Sequence, residues 1–189
     1  MKTRKIIIIW VVLLLALLLP SCAKEDKVIA TPAIEVPENI EGSVFHAGNV
    51  SAFIPKGWLV VGADPSMDTY GEDEARNDIY MYKGEPDADD LTSPGVEIEY
   101  FAPGNKMVKT PKEHFNGVEA IVPIELVNYT WSGYRAVNFG APLVVLFANE
   151  EDQELEQLQV IVWLKRGIQE VRMEDPEVLA ILSSIKARQ

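Results

Sequence analysis

Cysteine and histidine are nearly missing from this chain of 189 residues, which has one Cys and two His. A single Cys excludes a disulfide framework within the chain and any Cys-rich zinc module. His46 and His114 show no His-x-x-x-His spacing, so a zinc or copper site of the usual ligands is not expected. There is no Gly-x-Gly-x-x-Gly run or phosphate loop to seat a nucleotide, and no Gly-x-Ser-x-Gly turn to present a nucleophile. Basic charge is also short. The chain has 17 Lys+Arg against 29 Asp+Glu, a net charge of −12. Phosphate binding needs a basic surface, so no nucleic-acid partner is expected. Hydrophobic residues, by contrast, make up 48% of the chain, with 4 Trp, 6 Tyr and 6 Phe. That composition suits one ordinary domain with a proper core and is inconsistent with disorder.

The amino terminus is read apart from the fold. Lys2, Arg4 and Lys5 precede fourteen apolar residues, Ile6 to Leu19. As helix that run spans roughly 21 Å, short of the roughly 30 Å hydrocarbon core. A basic start, a short apolar run and a small residue before a break are the parts of a secretory signal peptide. The run ends in Leu19-Pro20-Ser21-Cys22, which resembles the lipobox of bacterial lipoproteins. That resemblance implies diacylglyceryl transfer to Cys22 and cleavage after Ser21. The competing reading is an ordinary signal peptide with an incidental Cys. Two acyl chains would anchor stably where one would not.

Residues 1–21 are thus expected to be removed, with residues 22–43 forming the lipidated Cys and a linker. The loss takes three basic residues and no acid, leaving 168 residues with 14 Lys+Arg, 29 Asp+Glu and a net charge of −15. Such a surface is repelled by anionic headgroups, so the lipid rather than the polypeptide is expected to hold the membrane. Pro32, Pro37 and mixed charge suggest an extended linker of several tens of Å, at roughly 3 Å per residue.

Residues 44–189 read as one domain. Asp78-Ile79-Tyr80-Met81-Tyr82 and Val96-Glu97-Ile98-Glu99-Tyr100 alternate as strands, with Glu97 and Glu99 expected in water. Thr110-Pro111-Lys112-Glu113 has the form of a helix start with a capping box, the helix ending near Ile121. Ile124 to Thr130 and Tyr134 to Phe139 are expected to flank a hairpin turn at Trp131-Ser132-Gly133. Leu143 to Ala148 and Leu158 to Leu164 flank a second, acidic turn. Asp175-Pro176 opens a closing helix whose apolar stripe is Val178, Ile181, Leu182 and Ile185. The expected class is α+β, a mostly antiparallel β-sheet covered by helices.

Phe53-Ile54-Pro55-Lys56-Gly57-Trp58 and the closing stretch Asp175 to Ile185 resemble the opening and closing segments of PsbP-like domains. The resemblance would cover roughly residues 44–186 and implies an α/β/α sandwich. It speaks to fold more than to function.

Acidic clustering is the main chemical signal. Ten carboxylates fall between Asp64 and Asp90. Calcium takes several oxygen ligands from flexible loops, so Asp87, Asp89 and Asp90, with Asp68 and Glu72 approaching, form a candidate calcium set. The EF-hand spacing is missing, and solvated loops that keep the domain soluble are the competing reading. Trp58, Tyr80, Tyr82, Tyr100, Trp131, Tyr134 and Trp163 could line a ligand groove, but core packing is the simpler use. The functional expectation is a lipid-anchored, extracytoplasmic, non-enzymatic binding or accessory domain of the cell envelope. It would have no cofactor, and its partners would be the membrane through Cys22 and an envelope protein. The alternative is a calcium-dependent ligand- or partner-binding module using loops 64–90. An apolar groove beside the sheet would favour the first reading and converging carboxylates the second.

Overall fold

The computed structural model describes residues 39–61, 78–84 and 92–187. Thirteen strands and one α-helix are found among them: β1 (Gly42–Ala47), β2 (Val50–Pro55), β3 (Trp58–Val61), β4 (Asp78–Lys83), β5 (Gly95–Phe101), β6 (Asn116–Ala120), β7 (Ile124–Glu125), β8 (Thr130–Asn138), β9 (Ala141–Ala148), β10 (Gln157–Trp163), β11 (Lys165–Arg166), β12 (Gln169–Glu170), α1 (Pro176–Ser184) and β13 (Lys186–Ala187). Eight strands form an antiparallel sheet in the order β3-β4-β5-β10-β9-β8-β6, with β7 pairing on β8. A small sheet, β1-β2-β13, packs with α1 over one face.

Alternation along the strands divides the apolar residues between two faces. On the inner face Ile79, Met81, Val96, Ile98, Val144, Leu146, Val160 and Val162 are buried against β2, the α1 residues Val178, Ile181 and Leu182, and Ile185 just after the helix. On the outer face Tyr134, Val145, Phe147 and Ile161 are covered by Met107 and Phe115, from the segment that joins β5 to β6.

The expected class is corrected at this point. The fold is β-rich, with a single α-helix of nine residues among the described residues, not an α+β sandwich covered by helices. The mid-chain helix does not form. Only a 3-10 turn occurs at Lys112–His114, and Asn116–Ala120 is strand β6. Its intended cap is consumed elsewhere, because the Thr110 backbone N–H donates to Gln159 Oε1 at 2.9 Å and Thr110 Oγ1 accepts from Gln159 Nε2 at 3.1 Å. Gly117, at φ +60, then leaves the helical region altogether.

Trp131-Ser132-Gly133 is likewise not a turn. It lies inside β8, and the chain reverses one step earlier, where the Leu126 N–H donates to the Tyr129 carbonyl. Trp131 is fully buried, and Gly133 is needed for close approach, since a Cβ there would sit 1.9 Å from the Val145 carbonyl oxygen. The acidic hairpin between β9 and β10 and the apolar stripe of α1 are found as the sequence predicts. Asp175 stands at the N-cap, but its carboxylate turns back to accept the Arg172 N–H at 2.9 Å.

Candidate functional site

Two features of the sheet could serve a ligand. The first is a cleft of about 530 Å³ on the inner face, where α1 stops short of the β6 margin. Ala120, Ile121, Val122 and Ile124 form one wall, Leu179 and Leu182 of α1 the other, with Val144 and Met173 between them. The mouth is charged. Glu119 lies opposite Arg135 in the strand register, and Arg135 Nη2 lies 4.0 Å from Glu174 Oε1. Apolar walls with a charged mouth can take an apolar group and shield it from water.

The walls follow from local sequence. Pro123 has no backbone N–H and stands between β6 and β7, so pairing on the β8 edge is interrupted at residues 122–123 and resumes at Ile124, opposite Trp131. Opposite them, the helix end is fixed by Asn128, whose Nδ2 donates to the carbonyls of Ser183 at 3.0 Å and Ile185 at 2.9 Å. Ser184 Oγ accepts the Phe53 N–H at 2.7 Å and ties the same helix end to β2.

The second feature is a polar and aromatic ledge on the outer face of β4, β5 and β10. Asp78 pairs with Glu99 and Tyr80 with Glu97 across β4 and β5. Glu99 also faces Gln159 across β10, and Gln159 Nε2 donates to its carboxylate. Burial, and then the neighbouring Glu97, push Glu99 up to about 7 against the opposing Gln159 hydrogen bond. Glu97 is raised as well, chiefly by burial and then by Asp78, with Arg166 opposing. Arg166 closes the ledge, its guanidinium 3.8 Å above the Trp163 ring and its Nη1 donating to the Tyr80 hydroxyl at 2.8 Å. Such an arrangement can exchange a proton near neutral pH and presents aromatic faces with hydrogen-bonding tips.

Cys22, Asp68, Glu72, Asp87, Asp89 and Asp90 lie outside the described residues. Of the ten carboxylates between Asp64 and Asp90, Asp78 alone is described, at the start of β4. Among the described residues no group of three or more His, Cys, Asp or Glu is placed to hold a metal ion. His46 on β1 and His114 in the 3-10 turn are both exposed and sit on separate elements. The aromatics divide: Trp58, Tyr82, Trp131 and Tyr134 are core, while Tyr80, Tyr100 and Trp163 are half-buried. Glu97 and Glu99, expected in water, are half-buried instead. A signal for that was present: Gln157 and Gln159 alternate with Leu158, Val160 and Val162, which puts polar residues on a face that is otherwise filled.

No family model matches the chain, and no curated protein sequence does. A crystal structure from Bacteroides thetaiotaomicron VPI-5482 superposes on 79% of the chain with a TM-score of 0.45 at 11% identity. The chain spans half the length of that protein.

Proposed function

We propose that the chain is a lipid-anchored, extracytoplasmic, non-enzymatic module that binds or supports a protein assembly of the cell envelope. In this reading Cys22 carries the anchor, and the cleft between α1 and the β6–β7 segment receives an apolar group of the partner. The cleft is the observation that supports binding, because it leaves about 530 Å³ of apolar space beside the sheet with a charged mouth. Support for the anchor comes from Leu19-Pro20-Ser21-Cys22, which ends a fourteen-residue apolar run and contains the only Cys of the chain. A net charge of −15 after processing keeps the polypeptide itself off anionic lipid, which leaves its surface free for a protein.

Photo-crosslinking in intact cells tests the binding reading. Val122 lines the cleft and is 65% exposed, whereas Val108 is 76% exposed on the segment joining β5 to β6. A crosslinker at Val122 is expected to capture a defined envelope protein, and one at Val108 is not. Equal capture from both positions, or none from Val122, would contradict the reading.

A further inference from the structure

Among the described residues two large apolar side chains stand fully in solvent, Phe139 at 101% and Ile168 at 99% relative exposure. Each occupies a two-residue hairpin tip. Phe139-Gly140 joins Asn138 to its register partner Ala141, and Gly167-Ile168 joins Arg166 to Gln169. Phe139 is held at φ +47 and Gly140 at φ +85, as a type I′ turn requires. Asn-Gly is the favoured pair there, and a left-handed Phe is strained. An exposed aromatic in a strained position contributes nothing to the fold that a smaller polar residue would not improve.

Both tips lie at one end of the large sheet. The Leu164 N–H donates to the Pro142 carbonyl at 2.9 Å, so β11 and β12 start beside the β8–β9 turn. The Gly84 N–H donates to Gly57 and the Lys83 N–H to Pro94, which places the β2–β3 and β4–β5 connections at the same end. The chain also enters the described domain there. Glu41 accepts the Lys56 N–H at 2.8 Å and pairs with the Lys56 ammonium at 2.8 Å, just before Gly57. The opposite end carries the β9–β10 hairpin with Glu150, Glu151, Asp152, Glu154 and Glu156.

From this juxtaposition we infer that Phe139 and Ile168 insert into the lipid surface and set the domain end-on to the membrane. The inference rests on the anchored reading above. A tether arriving from Cys22 delivers this end to the bilayer first, and attachment makes a weak contact effectively intramolecular. Convex, separate apolar tips suit a deformable interface better than a flat protein face. End-on docking also keeps the acidic β9–β10 hairpin farthest from the headgroups. With a net charge of −15 after processing, the lipid surface favoured is zwitterionic.

The test uses the full lipidated chain in phosphatidylcholine vesicles that carry a lipid-borne nitroxide quencher. Acylation of Cys22 leaves I168C or L155C as the only free thiol for an environment-sensitive fluorophore, Leu155 lying on the acidic hairpin. The I168C label is expected to shift to the blue and lose most of its emission, while the L155C label is unaffected. F139S in the I168C background should restore most of that emission. Anionic lipid should weaken the quenching at low salt, and added salt should bring it back. A chain that floats with the vesicles while both labels respond alike would overturn the docking and leave the anchor standing. A chain that neither floats nor carries acyl mass would overturn both. Shielding of the I168C label only on addition of envelope proteins would overturn the lipid surface in favour of a protein partner.

Discussion

Gln159 donates its side-chain amide to the carboxylate of Glu99, its register partner across β10 and β5. The same Gln holds Thr110 by both the backbone N–H and the hydroxyl. One fully buried amide therefore secures the β5–β6 segment and partly compensates a carboxyl that the fold has pushed up to about 7. Glu99 binds its proton more tightly folded than unfolded, so the folded state takes up protons between about pH 4.5 and about pH 7. Stability from this group is greatest below that window and is lost as pH rises through it; Glu97, also raised, acts with the same sign. Thermal unfolding followed from pH 5 to pH 8 should show Tm falling across the interval. E99Q should flatten the fall and add about 1–2 kcal/mol at pH 8, discounted because the site is half-open to solvent. A Tm that rises with pH, with E99Q tracking wild type, would refute the assignment.

The carboxyl end of α1 offers a contrast between neighbours. Ser184 Oγ accepts the Phe53 N–H and donates to the Ile181 carbonyl, whereas the buried Ser183 hydroxyl has no hydrogen-bond partner among the described residues. Loss of the hydroxyl in S184A should cost about 1 kcal/mol or somewhat more, with S183A neutral or slightly stabilising. Leu182, buried against the sheet, should cost about 2–5 kcal/mol on truncation to Ala. Denaturant unfolding of the three variants separates these outcomes; equal effects from both serines would mean that the tie from Ser184 to β2 is not formed.

Legibility in the sequence followed the range of the interactions. The α1 stripe and the acidic β9–β10 hairpin are local patterns, and both are present where periodicity puts them. The expected helix at Thr110 failed for a non-local reason. Its capping box is sound within the segment, but Gln159, 49 residues away, takes both Thr110 groups that would start the helix. Ser132-Gly133 misled in a related way. Gly there serves close approach to the Val145 carbonyl in a long strand, and the sequence looks the same whether the Gly makes a turn or yields to a neighbour. The cleft was invisible for the same reason, since its two walls are 55 to 62 residues apart and meet only through the strand order.

Gly133→Ala is therefore predicted to be severe. A methyl group 1.9 Å from a backbone oxygen cannot be accommodated without parting β8 from β9. The variant should lose several kcal/mol, at the upper end of what single substitutions do. Normal unfolding of Gly133→Ala would show that the two strands are not in this register.

Phe139 runs the other way. Replacing a left-handed Phe by Asn at a type I′ turn should stabilise the domain by about 0.5–1 kcal/mol, because the new side chain suits the backbone and no buried contact is lost. Calorimetry of F139N checks this. A clear loss of stability would mean that the ring packs on the domain and is not a free tip.

Lipid attachment at Cys22 is the claim on which the rest of the account depends, and intact mass of the membrane-extracted protein tests it most directly. The predicted species begins at Cys22, lacks residues 1–21 and carries a diacylglyceryl addition on that residue; Cys22→Ala should yield an uncleaved, unlipidated precursor. A soluble protein beginning at any other residue, or a wild-type chain of unmodified mass, would contradict it.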